Sequence, residues 1–150
     1  MREQRPSVPG WLESLLNRLG VNPVKFREFI KFGMVGGSGV VVNMGLFYAL
    51  TRWAGMRIEI ASPVAIETSI LTNFFLNNAW TFRRRQAAVP FRFRIVRYHL
   101  VTGLAGGVNY LVLLLLVHLA GLHDLVANLV GIVTAMFINY FLNSLWTWKE

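Results

Sequence analysis

Cysteine is absent from the 150 residues, which excludes disulfides and thiolate metal sites and leaves the redox compartment open. Acidic residues are scarce too: there are seven, and only Glu67 falls in the middle of a long apolar stretch. No Ser/His/Asp set, metal-ligand cluster or phosphate-cradling glycine loop is present, and His99, His118 and His123 are scattered. The chain therefore reads as a non-enzyme without cofactor or metal. Residues 1–28 hold no continuous apolar core of the kind a cleavable signal peptide needs, so the first apolar stretch is expected to serve as the insertion signal. Charge of either sign is sparse, at 15% against 55% hydrophobic residues and a mean hydropathy of +0.49, a balance that a small water-soluble domain would struggle to keep in solution.

What is present is four long, nearly uncharged runs: Phe32 to Thr51, Ile60 to Phe82, Leu100 to Val117 and Leu125 to Trp148. Each reaches the roughly 20 residues that span a bilayer core and is far too long for a barrel strand. Because hydrocarbon offers no partner to backbone polar groups, each run is expected to be a helix, which makes the chain an all-α integral membrane protein with four transmembrane helices.

The surplus of fifteen cations over seven anions would suit nucleic acid if it were spread over one surface, but it is not. Thirteen cations precede the first run, flank the middle loop or end the chain, and only Arg52 and Arg57 lie at the opposite ends of the spans. That asymmetry places both termini and the middle loop in the cytoplasm and assigns the charge to topology and anionic membrane lipids, not nucleic acid. A phosphate-collecting surface would look the same by charge alone. Before the first span, Trp11, Leu12, Leu15, Leu16 and Leu19 share a helical face opposite Glu13, Asn17 and Arg18, as in an amphipathic helix lying on the leaflet. Val21-Asn22-Pro23 marks the break that follows it.

Sliding the sequence by 66 residues aligns 29–84 with 95–150 without a gap. The polar and aromatic identities carry the match: Asn43/Asn109, Thr68/Thr134, Asn73/Asn139, Asn77/Asn143, Trp80/Trp146 and Thr81/Thr147. The expected organisation is a cytoplasmic N-terminal segment (1–28), a first two-helix repeat (29–84), a basic loop (85–94) and a second two-helix repeat (95–150). Each copy holds two spans, so the repeats are parallel.

If each hairpin turns near Gly55 or Gly121, Gly33 lies at the depth of Asn77, Gly37 near Asn73, Asn43 near Glu67 and Asn109 near Val133. Gly33-x-x-x-Gly37 and Gly103-x-x-x-Gly107 are the expected close-packing motifs. Asn73, Asn77, Trp80 and Thr81 would share one α-helical face, as would Asn139, Asn143, Trp146 and Thr147, with the tryptophans as interfacial anchors. The asparagines either bond helices together or line a polar cavity. Glu67, an ionisable group inside a span, is a functional candidate by default, its structural alternative being a carboxyl bonded to Asn43. Its repeat mate is Val133, so the two copies are unequal there.

At Phe32-Gly33-Met34-Val35-Gly36-Gly37, Val42-Asn43 and Asn73-Phe74-Phe75-Leu76-Asn77-Asn78-Ala79-Trp80-Thr81-Phe82, the sequence resembles the GtrA-like family of small four-span membrane proteins, over roughly residues 29–150. The second copy keeps the motif's asparagines, Trp146 and Thr147 but has Trp148 in place of Phe82. The resemblance implies a flippase that moves a polyprenyl-phosphate-linked monosaccharide, such as undecaprenyl-phosphate glucose or arabinose, from the cytoplasmic to the outer leaflet of a bacterial inner membrane for polysaccharide synthesis. It would work beside a polyprenyl-phosphate glycosyltransferase. Under that reading Lys31, Arg83, Arg84 and Arg85 attract the phosphate, Glu67, Asn43, Asn73, Asn77, Asn109, Asn139 and Asn143 accept the sugar, and a homodimer encloses the path. The alternatives are a non-transporting anchor for the glycosyltransferase and a proton-coupled exporter built on Glu67.

Overall fold

The computed structural model describes residues 9–85 and 89–149. The parts of the expected N-terminal segment and basic loop at 1–8 and 86–88 lie outside the described residues. Those described are helical, with no strand among them. Five α-helices follow one another: α1 (Gly10–Arg18), α2 (Pro23–Tyr48), α3 (Ile58–Leu76), α4 (Phe91–His118) and α5 (Asp124–Leu142). Three helical segments among the described residues, Pro23–Trp53, Phe91–His118 and Asp124–Thr147, are long and apolar enough to cross a membrane. The α3 helix is diluted by Glu67, Thr68, Ser69, Thr72 and Asn73 and falls short of them in apolarity.

Local chemistry sets the boundaries. Gly20 takes a φ of 70° that ends α1. The Asn22 side chain then accepts hydrogen bonds from the Val24 and Lys25 amides at 2.9 and 3.3 Å, and Pro23 opens α2, ahead of the point where the sequence repeat begins. The hairpins reverse at Gly55 (φ 62°) and Gly121 (φ 65°), each closed by an amide reaching back past the turn, Met56 to Leu50 at 2.9 Å and Leu122 to Leu116 at 3.0 Å. Most large side chains of the apolar helices face outward, among them Met34, Val41, Met44, Leu104, Leu111 and Leu129, all more than half exposed. An apolar exterior of that extent suits lipid and not water.

Within each hairpin the contact is a seam of small residues. Ala61, Ala65 and Ser69 recur every fourth residue along α3 and are buried, and Ala127 and Gly131 do the same along α5. Across these seams the Ser69 hydroxyl donates to the Gly39 carbonyl at 2.7 Å, the Asn73 carboxamide fills the space of a Gly39 side chain, and Asn109 fills that of Gly131. This corrects the expected motif. Gly37, Gly103 and Gly107 face open space, and Gly33 meets Met136 Sδ of the other hairpin, not Asn77. The close approach belongs to Gly39 and Gly131, whose repeat mates are Ala105 and Ala65.

The hairpins touch each other sparsely along α3/α4 and α2/α5 and are joined chiefly at one end, by a buried aromatic cluster of Phe32, Phe74, Phe82, Tyr98, Tyr140 and Trp148. These six residues are three pairs at the 66-residue offset: 32 with 98, 74 with 140, and 82 with 148. The ring contacts obey the same offset. Phe82 and Trp148 stack on each other at 4.5 Å and 16°; Phe82 also stacks on Tyr140 at 6.3 Å, and Trp148 on Phe74 at 5.8 Å. Phe32 meets Phe82 edge-on at 61°, as Tyr98 meets Trp148 at 70°.

Candidate functional site

The helix ends that carry the motif are not α-helical. Asn77–Thr81 and Asn143–Thr147 are π-helical turns, in which the Phe82 amide donates to the Asn77 carbonyl at 2.8 Å and the Trp148 amide to the Asn143 carbonyl at 2.9 Å. The wider turn separates residues that an α-helix would keep on one face. Asn77, Thr81, Asn143 and Thr147 are buried, whereas Trp80 and Trp146 turn outward, 44% and 43% exposed. Each outward tryptophan carries a cation. Lys31 Nζ sits 4.9 Å from the Trp80 ring centroid and donates to the Trp80 carbonyl at 3.3 Å; Arg97 sits 5.2 Å from Trp146 and donates to its carbonyl at 2.8 Å. Lys31/Arg97 is another pair at the 66-residue offset.

The candidate phosphate ligands divide. Arg83 and Arg84 are exposed, and Arg84 and Arg27 lie within electrostatic reach of Lys31. Arg85, grouped with them on sequence, is instead buried. Its guanidinium bonds Glu28 Oε2 at 2.6 Å and Ser144 Oγ at 3.2 Å, tying α2 to the end of the second hairpin. With a carboxylate already paired to it in a buried site, Arg85 is removed from the exposed basic rim. Arg94 is likewise buried and donates to Asn78 Oδ1, which also accepts from Trp148 Nε1 at 3.3 Å.

The candidate sugar ligands do not converge on one point. Asn73 lies across α2 at Gly39, Asn109 across α5 at Gly131, and Asn43 does not bond Glu67 as the structural alternative required. Asn139, Asn143 and Thr147 form a closed chain: Asn143 Nδ2 donates to Asn139 Oδ1 at 2.7 Å, and Thr147 Oγ1 donates to Asn143 Oδ1 at 2.7 Å. In the first hairpin Asn77 Nδ2 turns to the Tyr98 hydroxyl at 3.4 Å, and Asn73 Oδ1, Asn77 Oδ1 and Thr81 Oγ1 are buried without a protein partner.

Glu67 meets a residue that sequence reasoning passed over. His99, set aside as one of three scattered histidines, reaches it from α4 with Nε2 3.0 Å from Glu67 Oε1, while its Nδ1 lies 2.8 Å from the Ile95 carbonyl. The signal was faint: the two residues are 32 apart, in different sequence repeats, and at no common offset.

These features define a multi-pass helical membrane protein with a basic rim at one end and asparagines set between its helices. The chain belongs to the GtrA/DPMS transmembrane-domain family, whose model matches residues 31–148. It is similar to a protein named dolichol-phosphate mannosyltransferase from Pyrococcus furiosus, 40% identical over 121 residues that make up 81% of this chain but 34% of that protein. It is also similar to the uncharacterized membrane protein YngA of Bacillus subtilis, 26% identical over 128 residues, 84% of this chain and 82% of YngA. The chain thus spans about a third of the mannosyltransferase's length.

Proposed function

We propose that this chain is a flippase that carries a polyprenyl-phosphate-linked monosaccharide from the cytoplasmic to the outer leaflet of a bacterial inner membrane. The family match over 31–148 is the observation that carries this reading, because it ties the chain to polyprenyl-phosphate sugar metabolism. On this reading α3 is a fourth span, the two hairpins are tandem parallel repeats with both termini in the cytoplasm, and α1 lies on the leaflet with Trp11, Leu15 and Leu19 toward lipid. The chain itself is non-catalytic; a homodimer is one way to complete the path.

In this scheme the exposed cations Lys31, Arg83 and Arg84, joined by Arg27, attract the phosphate at the rim, and the polyprenyl tail stays in the bilayer. The unpartnered oxygens of Asn73, Asn77 and Thr81, together with that of Asn109 in the second hairpin, offer acceptors between the helices to hydroxyl donors. The test is reconstitution: purified protein in liposomes should move an undecaprenyl-phosphate sugar between leaflets, followed by the accessibility of the sugar to a membrane-impermeant oxidant. Movement no faster than in empty liposomes sinks the reading.

A second reading has a specific observation behind it. The chain aligns with a third of a protein named as a transferase, so a domain of this family forms part of a larger protein in that case. An anchor that organises a glycosyltransferase would stimulate the co-purified enzyme while moving no lipid, which the same liposomes distinguish.

A further inference from the structure

The two lateral seams between the hairpins, α2 against α5 and α3 against α4, are counterparts under the 66-residue offset, but they are filled differently. In the α2/α5 seam Phe29 and Phe137 stack at 4.9 Å and Met136 Sδ packs 3.5 Å from where a Gly33 side chain would begin. At the matching positions of the α3/α4 seam stand Ile95, Leu71, Ile70 and His99, and the mate of Val133 is Glu67. Replacing two stacked rings by two aliphatic side chains removes the plug. What remains is a cleft of about 460 Å³ lined by Glu67, Leu71, Ile95, Val96, His99 and Leu100. One seam is filled by stacked rings; the other holds an acid and a base beside a cleft.

The hydrogen-bond inventory fixes how many protons that pair holds. The Ile95 carbonyl can only accept, so His99 Nδ1 carries a hydrogen. The 3.0 Å contact from Nε2 to Glu67 then needs one further hydrogen, supplied either as imidazolium to carboxylate or as carboxyl to imidazole. Both arrangements are net neutral, which is what a low-dielectric setting demands. Both also use up the two ring nitrogens and leave the carboxyl, at the edge of a largely apolar cleft, with spare acceptor capacity on a side chain 55% exposed. The cleft therefore offers acceptors to a donor and no uncommitted cation to an anion.

We propose that the α3/α4 cleft is the entry site for the neutral, hydroxyl-bearing part of the lipid head group, with Glu67 accepting from its hydroxyls and His99 holding Glu67 in place by their hydrogen bond. This rests on the flippase reading and deepens it: the phosphate stays with the basic rim, and the sugar enters between the hairpins. His99 is a positioning residue, acting through Glu67.

The test uses the full-length protein in nanodiscs with two short probes, citronellyl phosphoglucose and citronellyl phosphate, their binding followed by calorimetry. Three variants are compared with the native chain: Glu67→Gln, His99→Gln, and Leu71→Phe with Ile95→Phe, which rebuilds the plug of the opposite seam. The plugged variant and Glu67→Gln should weaken the glucose-bearing probe about tenfold or more and leave citronellyl phosphate unchanged, with melting temperatures near the native value. His99→Gln should weaken the same probe by less, and its effect should vanish in the Glu67→Gln background. Native-like binding of the glucose probe by the plugged variant, or equal loss of both probes, overturns the cleft assignment and leaves the flippase reading standing. Binding of neither probe by the native protein removes both.

Discussion

The two hairpins carry the same polar motif and use it differently. In the second, Asn139, Asn143 and Thr147 satisfy one another; in the first, Asn73, Asn77 and Thr81 each leave an oxygen buried and unmatched by protein. The motif itself cannot cause this, since the three residues and the π-turn are common to both. The cause lies across the interface. Asn77 is drawn to the Tyr98 hydroxyl, and the repeat mate of Tyr98 is Phe32, which has none. One hydroxyl group on a neighbouring helix turns a closed chain into an open set of acceptors. Two hairpins with the same residues at the same offset thus differ in chemistry through a position outside the shared motif.

The largest test of this inequality concerns the charges. Glu28 and Arg94 are repeat mates of opposite sign, and Glu28 is held by Arg85 with both side chains at most 12% exposed. Arg85→Ala leaves a buried carboxylate without its guanidinium and should cost about 3 kcal/mol or more, read as a fall in melting temperature in detergent. Arg94→Ala, whose bond runs to neutral Asn78, should cost about half that.

Next come the glycines. Gly39→Ala and Gly131→Ala each create an overlap with an asparagine and should destabilise by about 1–3 kcal/mol, although alanine occupies the mate of each, Ala105 and Ala65. Gly37→Ala, facing open space, should be neutral or stabilising by up to about 1 kcal/mol. Equal melting temperatures for Gly39→Ala and Gly37→Ala would mean that the small-residue seam is misplaced.

The asparagines follow. Asn143→Ala strands two partners and should cost about 1 kcal/mol more than Asn77→Ala, which loses a single long hydrogen bond. Thermal unfolding of the two variants side by side decides it. The smallest effect belongs to Tyr98→Phe. It frees Asn77 to turn back toward Thr81 as Asn143 does toward Thr147, and stability should change by less than about 1 kcal/mol. The readout is the Asn77 side-chain amide resonance, which should move toward that of Asn143; an unmoved resonance breaks the explanation offered for the inequality.

Much of the helix layout was legible because hydrophobic length and the 66-residue identities are read directly along the chain. Depth was legible as well: the numbers of Asn73 and Gly39, or of Asn109 and Gly131, sum to within two of twice the turn position. Facing was not. Two residues along an α-helix rotate a side chain by about 200°, so an error invisible in depth sent Gly37 to open space and Gly39 to the seam. Trp80 and Trp146 were expected on the asparagine face because α-helical spacing put them there, and nothing in NNAWT or NSLWT announces a π-turn. Arg85 looked like its neighbours Arg83 and Arg84 because its partners, Glu28 and Ser144, are 57 and 59 residues away. Glu67 was found by its cost in lipid, but His99 had no comparable mark until the fold placed it 3.0 Å away.

The aromatic cluster has a mechanical consequence. A joint confined to one end lets each hairpin act as a lever, with the stacked faces of Phe82 and Trp148 as its fulcrum and the hydrogen bonds of Trp148 to Asn78 and of Arg85 to Ser144 as its ties. The arm of α2 from Phe32 to Tyr48 is about 24 Å long, so tilting it by about 10° on that fulcrum sweeps its far end through about 4 Å.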